Sequence, residues 1–130
     1  MILLDTHVIL WLALEPSKIS TTAKSEIEQA RSAGSVMMIS DISLLEIASL
    51  LHRKHIRLDA ELGTFLDAIH SRFAVRPITS RACVLLENLP DSYPKDPVDR
   101  IIGATAMAEG IPLITADENI RRAKAFATIW

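Results

Sequence analysis

The sequence predicts an α/β fold, a parallel central sheet of four to five strands covered by helices on both faces. Three observations carry this. Met1-Ile2-Leu3-Leu4 is an unbroken apolar run that stops at Asp5 and Thr6, as a strand buried on both faces does. The pattern recurs in Val36-Met37-Met38-Ile39, which meets Ser40-Asp41, and in Leu113-Ile114-Thr115, which is followed by Asp117. Between these runs lie segments of helical periodicity, and strand–helix alternation is the mark of a parallel sheet with right-handed crossovers.

Residues 7–14 are dense in Leu, Ile, Trp and Ala and read as a helix stopped near Pro16. Ser20 or Thr21 caps a second helix through about Ala33, with Gly34 as its stop. After the second strand, Asp41 is placed as the cap of a helix from Ile42 to about His52. That helix is apolar nearly all round except for a stripe through Ser43, Glu46 and Ser49. A further helix spans about Ala60 to Arg72, with Leu62, Phe65, Leu66 and Ile69 at helical spacing. Val75 to Ile78 is a weak strand whose Pro77 suggests an early end or an edge position. Ser80 opens a helix to about Asn88, and residues 89–95 form a loop rich in turn residues. From Asp96 runs an amphipathic helix with Val98, Ile101, Ile102 and Thr105 on one face and small Gly103, Ala104 and Ala106 for close packing; Gly110 ends it. A short helix from Glu118 to about Ala125 and a last strand over 127–130 complete the chain.

The 130 residues are expected to form one domain, 1–130, large enough for a core without metal or disulfide staples. The single cysteine, Cys83, excludes an internal disulfide framework and fits a reducing compartment. It lies among Val84, Leu85 and Leu86 and is expected in the core. The formal charge of −2 does not advertise nucleic-acid binding, although acids gathered at a site would mask a basic patch in the sum. The chain meets Asp5 and His7 too early for a signal peptide and has no membrane-spanning window, so a cytoplasmic protein is expected. No glycine-rich phosphate loop occurs, which argues against a P-loop site.

The acids carry the chemistry. Asp5 and Asp117 follow strands, Asp96 and Asp99 begin a helix, and Glu46 lies one turn into the helix leaving the second strand. In an open α/β sheet all these positions project to the carboxyl edge, where ligands bind. Clustered carboxylates stay ionised together only around cations. Oxygen ligation without a His or Cys cluster favours Mg²⁺ or Mn²⁺, which bind phosphate oxygens and activate water for attack on phosphorus. Each acid also has a plainer reading. Asp96-Pro97-Val98-Asp99 is a regular helix start, and Asp5 and Asp117 are fit to cap the helices after them. Glu46 resists such an account, because an unpaired carboxylate on an apolar helix is costly. The histidines (His7, His52, His55 and His70) lack ligand spacing and are read as surface or packing residues. The basic runs, residues 53–57 and 121–124, read as solvated faces or contacts for RNA phosphates or an acidic partner.

LLLDTHVILW, ISLLEIASL, the KDPVDRIIGATAMAEGIPLIT block and the following Asp117 together resemble a PIN-domain ribonuclease, most nearly the VapC-type toxins of toxin–antitoxin pairs. The resemblance spans the chain in order. It implies an α/β/α sandwich, an acidic pocket for Mg²⁺ or Mn²⁺, and cleavage of cellular RNA of the transfer or ribosomal class. It also implies a homodimer and a VapB-type antitoxin that blocks the pocket. Position by position it makes Asp5, Glu46, Asp99 and Asp117 the acidic constellation, with Asp96 an additional acid. Thr6 and Thr115 are supporting hydroxyls, Thr115 to orient a water or Asp117. Spacing leaves both Asp96 and Asp99 open as the third ligand, with Asp99 ranked first. A Mg²⁺-dependent phosphatase or phospho-acceptor domain is a second enzyme reading, but a receiver would also carry an acidic pair at the first strand and a lysine after its last, and neither is present. A non-catalytic binding module is the third, and the retention of all the acids argues against it.

Overall fold

A computed structural model describes residues 1–53 and 57–130. Lys54, His55 and Ile56, the middle of the first basic run, lie outside the described residues. Five parallel strands form one sheet in the order β3-β2-β1-β4-β5: β1 Ile2–Leu4, β2 Met37–Ser40, β3 Ala74–Arg76, β4 Leu113–Ile114 and β5 Thr128–Ile129. The helices are α1 Thr6–Leu14, α2 Thr21–Ser32, α3 Asp41–His52, α4 Leu62–Arg72, α5 Ser80–Leu85, α6 Pro97–Glu109 and α7 Glu118–Ala123. β3 is an edge strand and ends early, at Arg76 just before Pro77, so Ile78 lies outside the strand expected to reach it.

β1 is buried along its whole length and its side chains alternate between two cores. Ile2 and Leu4 join Ile39 and Ile114 beneath α1 to α4, with Val8, Ile9, Ile27, Ile47 and Ile69. Leu3 faces the other way with Met38 and Leu113, against Ile102 and Ala106 of α6 and Ile120 of α7. The sandwich therefore closes on both faces of one short strand. Chains leaving β1 and β2 run one way along the sheet, and those entering β4 and β5 run the other. The order reverses between β1 and β4, and at such a reversal the carboxyl edge opens into a crevice.

Local signals set the element ends. Ser20 Oγ accepts from the Ala23 N–H at 3.1 Å. Gly110 takes φ 64° at the C-terminus of α6, a left-handed turn that lets the chain enter β4. Four expectations need correction. Ser40, not Asp41, precedes α3; the Asp41 carboxylate instead accepts from the Ile78 N–H at 3.2 Å and joins α3 to the segment after β3. The next helix opens at Ser80, with Thr79 as its cap accepting from Ala82 N–H at 3.1 Å, but its α-helical part ends at Leu85 and a 3₁₀ turn carries the chain to Asn88. α7 stops at Ala123 because Lys124 turns left-handed, with φ 49°. Cys83 is exposed, since so short a helix buries Ala82 alone and turns Cys83 and Val84 outward. Among the described residues no helix is long and apolar enough to cross a membrane.

The small-residue face of α6 has a definite partner. Tyr93, only 1% exposed, lies over Gly103, and its hydroxyl donates to the Asp99 carbonyl at 2.8 Å. A Cβ on Gly103 would overlap the Tyr93 hydroxyl and stand 2.8 Å from Cζ of the ring and 3.0 Å from Phe126. Gly103→Ala is therefore expected to destabilise the fold by about 1–3 kcal/mol despite the better helix propensity of alanine. Urea unfolding checks this, and a stability equal to or above that of the parent would refute the packing account.

Candidate active site

The crevice at the β1/β4 reversal is a cleft of ≈ 500 Å³ lined by Asp5, Glu46, Asp96, Asp99 and Asp117. Asp5 is its floor. It leaves the end of β1 at 7% exposure. One carboxylate oxygen accepts from the Thr6 N–H at 2.8 Å and the other from the Thr115 hydroxyl at 2.6 Å. Burial raises the Asp5 pKa; the hydrogen bonds from Thr115 and Thr6 oppose that rise without cancelling it.

Thr115, buried at the end of β4, has two jobs. Its hydroxyl donates to Asp5 and accepts from the Asp117 N–H at 3.1 Å. Thr115 thus holds Asp117 through its backbone N–H and also holds the carboxylate of Asp5. Asp117 Oδ1 caps α7, accepting from Asn119 N–H at 2.8 Å and Ile120 N–H at 3.0 Å. Thr6 does not face the acids with its hydroxyl; it donates to Ser43 Oγ at 3.0 Å, both groups buried, and so fixes α1 to α3. Glu46 and Ser49 of the same stripe reach the cleft.

The two acids of α6 differ in kind. Asp96 is exposed and its Oδ1 caps the helix, accepting from Val98 N–H at 2.8 Å and Asp99 N–H at 3.3 Å. Asp99 is half-buried, and its carboxyl is pushed up to about 7, first by burial and then by Asp5, Asp96 and Asp117. Glu46 is likewise pushed up to about 7, by burial and then by Asp5, Asp99 and Asp96, against a smaller opposing effect of Arg53. These two feel the unneutralised charge of the cluster most.

His7 and Trp11 also line the cleft, with Leu45, Arg53, Val98 and Ala116. Sequence reading set His7 aside for want of ligand spacing. A usable signal lay in its place two residues after Asp5 and one helical turn before Trp11. Tyr93 was also missed, because the turn-rich loop around it has no periodicity from which its burial could be inferred.

The PIN domain family model matches residues 2–125. Ribonuclease VapC22 of Mycobacterium tuberculosis is 33% identical over 131 residues, covering 99% of this chain and 98% of that protein. Two solved structures share the fold. VapBC2 from Rickettsia felis, bound to a DNA fragment from its promoter, aligns with a TM-score of 0.74 at 17% identity, covering 98% and 97% of the two chains. DNA-bound VapBC from Salmonella typhimurium aligns at 0.70 and 19%, covering 98% and 95%. The chain belongs to the PIN-domain family, in the branch of the VapC-type ribonucleases.

Among the described residues, no three acidic, His or Cys side chains converge closely enough to hold one ion as they stand. The donor set nonetheless fits a hard divalent cation. It is all oxygen, it is gathered on one cleft, and after burial the negative field of its own carboxylates raises the pKa values of Glu46 and Asp99, opposed at Glu46 by Arg53.

The cation-free protein carries this field as a stability cost. Glu46 ionises near 4.5 in an unfolded chain and near 7 in the fold, so the folded state holds its proton longer. The cost is absent below the lower value and complete above the higher one. In EDTA, stability should fall as pH rises across that window. Glu46→Gln should flatten the fall, gaining melting temperature on the alkaline side and nothing on the acid side. An identical pH profile for parent and variant would refute this. Thr115→Val should lower divalent-ion affinity about 10- to 100-fold by releasing Asp5, as read by calorimetric titration; unchanged affinity would show that the hydroxyl does not position the site.

Proposed function

We propose that this chain, as a single domain over residues 1–130, is a Mg²⁺- or Mn²⁺-dependent endoribonuclease and the toxin of a toxin–antitoxin pair in the cytoplasm. The observation that carries the reading is the gathering of five carboxylates on one cleft at the strand-order reversal of a PIN-domain fold. Asp5, Glu46 and Asp99 are the ligands, Asp117 completes the site, and Asp96 is an accessory acid whose capping oxygen is already engaged. Bound there, the cation supplies the positive charge that draws a phosphodiester over the acids and activates a water for attack. Asp5 is held by Thr6 and Thr115, so its charge is fixed in place beforehand.

A VapB-type antitoxin is the protein partner, in keeping with the VapBC complexes that share the fold. RNA of the transfer or ribosomal class is the substrate. A homodimer would cover exposed apolar side chains on α3 and beside it: Leu45 is 65% exposed, and Ile78, bonded through its N–H to Asp41 one turn earlier on α3, is 41% exposed.

Purified protein incubated with total cellular RNA and Mg²⁺ or Mn²⁺ should give discrete fragments, lost in EDTA. Asp5→Asn should reduce cleavage to background while the circular dichroism spectrum is kept. Cleavage retained in that variant would sink the assignment of Asp5, and fragments formed equally in EDTA would sink the metal dependence.

A further inference from the structure

The cleft does not end at the acids. His7 and Trp11 lie one turn apart on α1, with ring centroids 5.9 Å apart and ring planes inclined by 53°. Both line the acidic cleft, and both also line a smaller adjoining cavity of ≈ 190 Å³ that continues past Leu14 to Lys18, with Leu50 of α3 on its other wall. Together the two cavities make one groove along α1. Lys18 Nζ stands 5.9 Å over the Trp11 ring and is paired with Glu15 at 2.8 Å. Arg53 stands at the acidic end, on the α3 wall. Core packing accounts for part of Trp11, which contacts Trp130 at 5.9 Å and the apolar cluster under α1. It does not account for His7, which is exposed and has its ring against Trp11 alone among the described aromatic pairs.

We propose that His7 and Trp11 form a subsite for an unpaired nucleobase next to the scissile phosphate, with Arg53 and Lys18 serving the phosphates on either side. The proposal rests on the ribonuclease reading above and adds to it the residues that would hold a base beside the cut. A cation held by the acids would draw only the phosphate that is cut, so affinity for the rest of the strand has to come from the walls. Aromatic faces and flanking cations supply it, and every base has a face to stack. A base inside a duplex has both faces covered by its neighbours and cannot enter such a site; loops and bulges present splayed bases. The groove opens directly onto Asp5, two residues before His7, so a base held there leaves its own phosphate over the acids.

The chain has two tryptophans, so Trp130→Phe leaves Trp11 as sole reporter. In an Asp5→Asn/Trp130→Phe protein with Mg²⁺, a mixed-sequence octaribonucleotide should quench Trp11 fluorescence, and the same backbone made wholly abasic should not. His7 is exposed, so adding His7→Ala removes its ring without disturbing the core; it should weaken binding about 5- to 50-fold. Trp11→Phe, followed by anisotropy of a labelled octamer, should keep most of the affinity, whereas Trp11→Leu should not. No quenching, or equal quenching by the abasic strand, would overturn the subsite and leave this wall to a protein segment. Base-dependent quenching in a protein that cleaves no RNA would uphold the subsite and overturn the nuclease reading. RNA cleavage without base-dependent quenching would do the reverse.

Discussion

The structure turns on a carboxylate buried where the strand order reverses. Asp5 ends the central strand, and the two strands paired with β1 lead away in opposite senses. An ionised carboxylate at 7% exposure costs several kcal/mol unless its oxygens are engaged. Here each oxygen accepts one hydrogen bond, from the residue that follows on α1 and from the residue that ends β4. The neighbouring strand thus solves the solvation problem of the first, and in doing so it delivers Asp117 to the same cleft through the second bond of Thr115. Backbone pairing sets the register of β1 and β4, and one side-chain contact spanning nearly the whole chain ties the site to it.

A second constraint works from the other face of the sheet. α6 has to bring Asp99 to the cleft while its far end packs on Leu3, Met38 and Leu113. Tyr93 locks this placement: its ring occupies the space that Gly103 leaves, and its hydroxyl takes the carbonyl of Asp99 itself. The helix cannot slide without overlapping the ring or breaking that bond. The stability so gained is spent in part on the acids, whose raised pKa values show that the fold holds them against mutual repulsion. Such a conflict between local charge and global stability is expected where a site binds an ion.

The sequence was legible where physics is local. Short apolar runs ending in polar tips identified β1, β2 and β4, and Pro77 identified β3 as an edge. Glu46 stood out because nothing else on its helix explained a charge. What spacing could not resolve was the use made of each capping residue. Asp41 has the right chemistry for a cap, yet its carboxylate reaches a chain neighbour 37 positions away. Cys83 sits in an apolar run, but α5 is too short for the run to define an inward face. Tyr93 and the His7–Trp11 wall depend on tertiary approach, which neither period nor propensity encodes.

The tension between the structural and chemical readings of the acids resolves atom by atom. Asp96 and Asp117 each spend one oxygen, Oδ1, on two backbone N–H groups at a helix start. Capping therefore does not compete with the cleft. It fixes the carboxylate plane and leaves the second oxygen of each without a hydrogen bond among the described residues, while the helix N-terminus eases the local charge. Asp5 is pinned through both oxygens by single bonds, and a carboxylate oxygen can accept more than one. Glu46 and Asp99 have no such restraint among the described residues, and theirs are the pKa values that burial, and after it the neighbouring carboxylates, lift to about 7. The cluster thus divides into acids pinned by hydrogen bonds, which define the cleft, and two whose carboxylates carry none among the described residues. On the reading proposed above, it is the second pair that would adjust to a cation, since the pinned acids already have fixed positions.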